Sequence, residues 1–465
     1  MKKILVIGLV FVTMMSCQDL TELNKDIKNP EEVPAGALFA NGTKNLFDFM
    51  SSQNVNVNNF RLWGQYWAQT TYADESNYIL VERNVNGYAW NETYTDVIRE
   101  MREAKVFIEE NQNLSDAERA AQLAMAEVIE IYGWHVLVDI FGDIPYTEAL
   151  TDDVTPAYDD DASIYADLET RLDAAIADLS GNSRMGDYDL IYGGDASMWR
   201  KFANSLKLRM AIRTGSQSRA EAAVSSGVFT SNADNFALTY QSATPNTNPL
   251  WVTLVQSGRS DYIATSTIVD PMKAMNDPRL DFYFEDQING EYEGGAYGDN
   301  NNYNAFSHPG ALQKDPTWPG VIMSYSEVEF LLADAASRGW NVGGTAESHY
   351  NAGIEASILY WGGDAAAVTA YLAEADVAFA TAAGTDQQKI AMQKWISLYD
   401  QGFEAWSTIR MYDYPNLPIA VQAQIPTPKR YTYPVSEYSL NEENVTAAGS
   451  RIGADALATP VFWDN

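Results

Sequence analysis

SDAERAAQLAMAEVIEIYGWHVLVDIF, residues 115–141, decides how the rest of the chain is read. Ser115-Asp-Ala-Glu118 has the spacing of a capping box, in which a serine hydroxyl and a glutamate three residues on satisfy each other's free backbone amides. It opens a helix that runs to about Phe141. Upstream, Tyr94, Val97, Ile98, Met101 and Ile108 form an apolar stripe at helical spacing from about Glu92 to Glu110. Downstream, Tyr165, Leu168, Leu172, Ile176 and Leu179 mark one helix, and Trp199, Phe202, Leu206 and Met210 another. Ser324-Tyr-Ser-Glu327 caps a helix carrying Val328, Leu331, Leu332 and Ala335. Thr385-Asp-Gln-Gln388 caps a last long one through Trp395 and Leu398 toward Trp406. Helices in pairs with short connectors are what helical-repeat arrays show, although no clean sequence period emerges. Strand signals are few and short: Phe236 to Tyr240, Leu280 to Phe284, and Tyr431 to Tyr433. The chain therefore reads as mainly α.

The 465 residues carry 63 acidic and 30 basic side chains, a formal charge of −33 that works against nucleic acid as a partner, since phosphate binding needs a dense basic face. One cysteine rules out a disulfide framework or a thiolate metal site, and three histidines (His135, His308, His349) without an HExxH pattern argue against histidine-based metal catalysis. The 12 Trp and 27 Tyr exceed what a core alone usually needs.

Met1-Lys2-Lys3 followed by the apolar run Ile4 to Val12 reads as a signal peptide, too short to span a bilayer. Ser16 directly before the only cysteine completes a lipobox-like site, with Met14 where leucine is usual. Residues 1–16 are thus expected to be removed and Cys17 to be lipidated. The polar residues 17–34 would form a flexible lipidated tether, and 35–465 a single domain. Within that domain, residues 214–320 are rich in Asn, Gly, Tyr, Asp and Pro, the composition of a loop-rich ligand-binding insertion on a rigid helical scaffold.

Segments resembling the SusD/RagB family of Bacteroidetes outer-membrane lipoproteins run through almost the whole mature chain in the family's order. They include Asp139-Ile-Phe-Gly-Asp-Ile-Pro-Tyr-Thr-Glu-Ala-Leu150, Tyr192-Gly-Gly-Asp195 leading into Trp199 to Arg213, and Asp277-Pro-Arg-Leu280. Further on come Ser324 to Asp334, Gln393-Lys-Trp-Ile396 with Gln401-Gly402 and Glu404-Ala-Trp406, Tyr433 to Asn441, and the terminal Thr459-Pro-Val-Phe-Trp463. The resemblance implies four tetratricopeptide-like helix pairs with loops and small β-elements as the ligand face. It also implies a protein without catalytic chemistry or cofactor, lipid-anchored to the outer membrane and facing outward. Such a protein would capture polysaccharide or oligosaccharide for a SusC-like TonB-dependent transporter. An oligopeptide cargo on the same scaffold and a surface glycosidase are the alternatives.

The motif residues themselves read as structural. Trp199, Phe202 and Leu206 share a core face, as would Trp90 with Tyr94. Lys201, Lys207, Arg209 and Arg213 could pair with carboxylates of the neighbouring helix or of the transporter, but the preferred reading is a solvated face with i,i+4 support. Asp143 reads as a hydrogen-bonding cap, and Asp152-Asp153 and Asp159-Asp-Asp161 as solvated acidic loops rather than calcium ligands. No nucleophile elbow, P-loop or dinucleotide fingerprint occurs.

Sugar recognition needs flat aromatic faces for the apolar side of a pyranose and Asn, Asp, Gln or Arg for its hydroxyls. Three loop groups offer both: Tyr72, Asp74, Asn77 and Tyr78, after a helix bearing Trp63 and Trp67; Trp251, Arg259 and Tyr262; and Tyr292, Tyr297, Asn301, Tyr303 and Trp318. Because so acidic a chain repels anionic polysaccharides, a neutral glucan such as the β-1,3-glucan laminarin is the expected cargo.

Overall fold

A computed structural model describes residues 33–464; the leader, Cys17 and most of the expected tether lie outside the described residues. The fold is mainly helical, as expected. α1 (Ala35–Ser51) leads into the short helix Phe60–Trp63. Four pairs of consecutive helices follow. α2 (Arg99–Glu110) packs on α3 (Asp116–Phe141), and α4 (Asp161–Asp178) on α5 (Ala196–Arg213). After α6 (Gln217–Ser226) and the middle of the chain, α7 (Tyr325–Ser337) packs on α8 (Ala346–Tyr360), and α9 (Asp386–Ser397) on α10 (Gly402–Tyr412). α3 against α4, α5 against α7 and α7 against α9 join the pairs around one continuous apolar core.

The caps read from sequence are present. Ser115 accepts from the Glu118 amide at 3.3 Å while Glu118 accepts from the Ser115 amide at 2.9 Å, and Thr385 and Gln388 repeat the exchange at 3.2 and 3.0 Å. The stripe from Glu92 is helical too, but opens as a π-turn over Glu92–Ile98. The Thr93 and Thr95 hydroxyls donate to carbonyls four residues back, at 2.8 and 2.7 Å, where they compete with the regular ladder.

Four expected elements differ. The long helix from Thr385 toward Trp406 is two helices, broken at Leu398–Gln401, because the Arg61 guanidinium takes the carbonyls of Tyr399 and Asp400 at 3.2 and 3.3 Å. Gly402 restarts the chain so close to Arg61 that a Cβ there would lie 2.7 Å from its backbone nitrogen. Leu280 to Phe284 is strand only at its last residue, Phe284; Leu280–Tyr283 is one helical turn, set by the buried Asp277–Arg279 pair (2.6 and 2.9 Å). Tyr431 to Tyr433 takes its backbone bonds from the Ile140 carbonyl and the Asp455 carboxylate instead of a strand partner. Nor do Trp63 and Trp67 share a helix: Trp67 begins a strand, and both rings are fully buried.

The solvated-face reading of α5 with i,i+4 support does not hold: Lys201 pairs with Asp234, the largely buried Lys207 pairs with Asp173 of the neighbouring α4, and Arg209 and Arg213 are buried. Arg209 is buried in a two-bond contact with Glu327 of α7 at 2.7 and 2.8 Å. Arg213 pairs with Asp139 of α3 and Glu404 of α10, and Lys394 of α9 reaches Glu404 at 2.9 Å. One buried network thus touches every helix pair. Burial alone would raise the Glu404 pKa; Arg213, then Lys394 and Arg209, more than reverse this and hold it well below the carboxylate range.

The acidic run Asp159–Asp161 is not a solvated loop either. Asp159 accepts from the Tyr146 and Thr147 amides, Asp160 caps α4 through Ser163, and Asp161 accepts from Phe462. Asp143, the expected cap, accepts from the Asp161 amide and pairs with Arg451.

Candidate functional site

Between the two halves of the scaffold, residues 214–320 return to the N-terminal loops through β1 (Trp67–Gln69), β2 (Phe236–Leu238), β3 (Tyr262–Ala264), β4 (Phe284–Glu285), β5 (His308–Pro309) and β6 (Gly320–Met323). These pair antiparallel as β1–β3, β2–β6 and β4–β5. The β1–β3 ribbon matters most for the site. Its inner faces are apolar, with the Trp67 and Tyr262 rings 5.6 Å apart, so it is fixed in the core. Its open end carries polar residues. There the Thr70 amide and hydroxyl donate to the carbonyls of Asp261 (2.9 Å) and Ser260 (2.8 Å), holding two loops side by side.

A cleft of about 280 Å³ lies at this end, near the lower limit of small-ligand clefts (~300–1,000 Å³). Gln69, Thr71, Tyr72 and Arg83 line one side, Asn54 and Asn56 another, and Arg259, Asp261 and Tyr262 a third. The rim opposite comes from the π-turn Val252–Gln256, which follows a helical turn begun by Pro249 and capped by Asn248. Gln69 organises the first loop: its amide nitrogen donates to Tyr72 O (2.9 Å) and Glu75 (2.7 Å), and its oxygen accepts from the Ser76 hydroxyl (2.7 Å). The loop then turns through a left-handed Tyr72 (φ 54°), which turns the ring outward, 67% exposed.

The charges in the cleft are paired. Arg83 contacts the buried Glu75, and Arg259 donates to Asp261 at 2.5 Å, which raises the Arg259 pKa. The two arginines therefore keep spare N–H donors while the lining carries no net charge among these four groups. An exposed aromatic ring beside amide and guanidinium donors in a neutral cleft suits a polyhydroxylated, uncharged ligand.

Of the twelve residues singled out from sequence, the cleft brings together Tyr72, Arg259 and Tyr262. Tyr262 presents only an edge, since its hydroxyl donates to Gln53 O at 2.7 Å and the residue is 4% exposed. Trp251 is half-buried at the start of the rim, next to the lining residue Val252. Asp74 and Asn77 sit in the adjoining loop, where Asn77 donates to Gly298 O (2.8 Å) and accepts from the Gln422 amide (3.0 Å). Burial removes Tyr78 and Tyr297, each 4% exposed, from the rings open to a ligand: Tyr78 packs edge-on against Trp63, and Tyr297 lies against Tyr78. Asn301 is buried and donates to Gln69 O at 3.1 Å, bracing the cleft from behind.

The remaining aromatics stand away from the cleft. Tyr292 donates to Asp281 at 3.0 Å, and Tyr303 stacks on His308 at 3.7 Å. Trp318 donates to Asp400 at 2.7 Å and packs on Trp361 and Tyr360. Arg83, Gln69, Asn54 and Asn56 were missed from sequence; an arginine in an aromatic, Asn-rich loop of so acidic a chain was the one available signal.

The fold is a scaffold of helix pairs that carries an open, aromatic-edged cleft on the loops between them. Residues 27–434 match the SusD-like family described as starch-binding and associating with the outer membrane, and the chain belongs to that family. Among solved structures, a chitin-binding SusD homologue from Flavobacterium johnsoniae is 27% identical, with a TM-score of 0.79 over 93% of this chain and 98% of that one. A SusD-like protein from Bacteroides thetaiotaomicron (25% identical, TM-score 0.79, 93% and 99% covered) and a SusD homologue from Bacteroides ovatus (26%, 0.79, 92% and 99%) superpose equally well. None of the curated proteins matches. Among the described residues, no helix is long and apolar enough to cross a membrane.

Proposed function

We propose that this protein captures neutral oligo- or polysaccharide at the Tyr72–Arg83–Arg259 cleft and passes it to a SusC-like TonB-dependent transporter, while held to the outer membrane by lipid on Cys17. The observation that carries the reading is the pairing of both cleft arginines with carboxylates beside an exposed ring. A sugar hydroxyl can then accept from a guanidinium without bringing a charge of its own. β-1,3-Glucan remains the first candidate; chitin oligomers, equally neutral, are the second, because the F. johnsoniae relative is described as chitin-binding.

The protein acts as a binder and performs no hydrolysis. Two measurements test this account together. Affinity for the preferred neutral glycan should change little between low and high salt, because neutral hydrogen bonds and stacking are barely screened. Mild solubilisation of native membranes should recover the protein with an outer-membrane barrel. Steeply salt-dependent binding of a sulfated or uronate-rich polymer contradicts the cargo, new reducing ends contradict the binder, and recovery of the monomer alone contradicts the hand-over.

A further inference from the structure

At physiological ionic strength charges are screened over ~8 Å, so most of the chain's formal −33 does not reach a ligand in the cleft. Which glycans enter is then decided by the ion pairs at its walls, Arg83 with Glu75 and Arg259 with Asp261.

The two pairs are built differently. Glu75 is fully buried and, besides meeting Arg83, accepts from Gln69 Nε2 at 2.7 Å, while its backbone carbonyl accepts from Trp63 Nε1 at 3.1 Å. Removing its carboxylate would loosen the loop that carries Tyr72, so its charge and its structural role cannot be separated. Asp261 has no second role of that kind. Arg259 and Asp261 stand two residues apart, the spacing that shares a face in the strand they lead into, and the Arg259 Nε donates to the Asp261 carboxylate at 2.5 Å. Among the described residues that carboxylate bonds to Arg259 alone. The loop itself is held by backbone carbonyls, those of Ser260 and Asp261, which accept from Thr70.

The Arg259 side chain is 59% exposed and that of Asp261 29%, so a ligand can meet both. Only Nε is used by the pair, and the terminal nitrogens keep their N–H donors. A sugar hydroxyl takes such a donor without a charge of its own. A carboxylate or sulfate would have to share the guanidinium with Asp261, two like charges at a range too short for salt to screen.

We infer that Asp261 is the specificity-determining residue of the cleft: its carboxylate on Arg259 excludes uronate and sulfate groups from a site that the arginines would otherwise open to them. This rests on the cleft being the glycan site, as proposed above. Discrimination by charge is then a local property of one side chain, separable from the acidity of the chain as a whole.

Calorimetric titration with a neutral oligomer of β-1,3-glucan or chitin and with a short oligogalacturonate tests this, the readout being the ratio of the two affinities. Asp261→Asn should raise the galacturonate-to-neutral ratio roughly tenfold at low salt, the order set by one charge at close range, and near-molar salt should erase the gain. Asp261→Glu, which returns a carboxylate, should restore the original ratio. Arg259→Gln combined with Asp261→Asn should abolish the gain. Arg259→Gln alone leaves Asp261 unopposed and should push the ratio below that of the unmutated protein, an arm that stands even where Asp261→Asn perturbs the loop. An unchanged ratio in Asp261→Asn, a gain that persists without Arg259, or galacturonate preferred by the unmutated protein overturns the inference. Neutral binding that is indifferent to Tyr72→Ala overturns instead the site on which it rests.

Discussion

Glu130→Gln should remove a pH-dependent part of this fold's stability. Glu130 lies at 1% exposure on α3, between three helices. It accepts from Lys105 Nζ at 2.6 Å and Arg102 Nε at 3.2 Å on α2, from Trp134 Nε1 at 3.1 Å, and stands 3.1 Å from Arg171 on α4. Burial by itself would raise its pKa; Lys105 and then Arg171 outweigh that, and the carboxyl is pushed down from 4.5 to about 2. A folded value below the unfolded one means stabilisation that is complete above pH 4.5 and lost as pH falls toward 2. The difference between those values corresponds to about 3 kcal/mol at neutral pH. Glutamine keeps the shape and removes the charge. Chemical denaturation at pH 7 should therefore show the variant about 3 kcal/mol less stable, and the gap should close as both proteins are taken from pH 4.5 toward 2. A gap that stays constant from pH 7 to 3, or no gap at pH 7, would refute the electrostatic account of this helix junction.

Other substitutions probe the remaining parts. Glu327→Gln leaves Arg209 buried with a weakened partner and should cost about 3–5 kcal/mol, read as a lower denaturation midpoint, with the helical circular dichroism retained under native conditions. Trp318→Ala should lower thermal stability by about 2 kcal/mol through lost contact with Trp361 and Tyr360, yet leave glycan affinity unchanged, since Trp318 does not line the cleft. Cys17→Ala should shift the protein from the detergent phase to the aqueous phase on Triton X-114 partitioning; unchanged partitioning would remove the lipid anchor.

Much of the scaffold was legible because its signals are local. A capping box at Ser115 or Thr385 needs only four residues, and apolar stripes at helical spacing need one or two turns. The break at Leu398–Gln401 was not legible, because what ends α9 is Arg61, more than three hundred residues away in sequence. Arg209 and Arg213 misled for the same reason. On one helix they look like a solvated basic face, and only the approach of Glu327, Asp139 and Glu404 from other helices makes burial tolerable. In the site, aromatic content was a poor guide to exposure. Tyr78 and Tyr297 belong to the core and Trp318 is half-buried against it, a use of aromatics that composition cannot distinguish from a stacking platform. Tyr72 was singled out for loop composition alone, whereas its left-handed backbone and its tie to Gln69 are what turn it outward.

In the function proposed above, glycan binds in the cleft at the open end of the β1–β3 ribbon. The most direct measurement is calorimetric titration of the protein and of Tyr72→Ala and Arg83→Ala with neutral β-1,3-glucan and chitin oligomers. The account predicts millimolar-to-micromolar affinity for one of them, roughly 4–8 kcal/mol. It further predicts a loss of about 1–3 kcal/mol in each variant, by analogy with hot-spot and ring-stacking magnitudes, with thermal stability unchanged in Tyr72→Ala. Full affinity in both variants would contradict it and move the binding site elsewhere on the molecule.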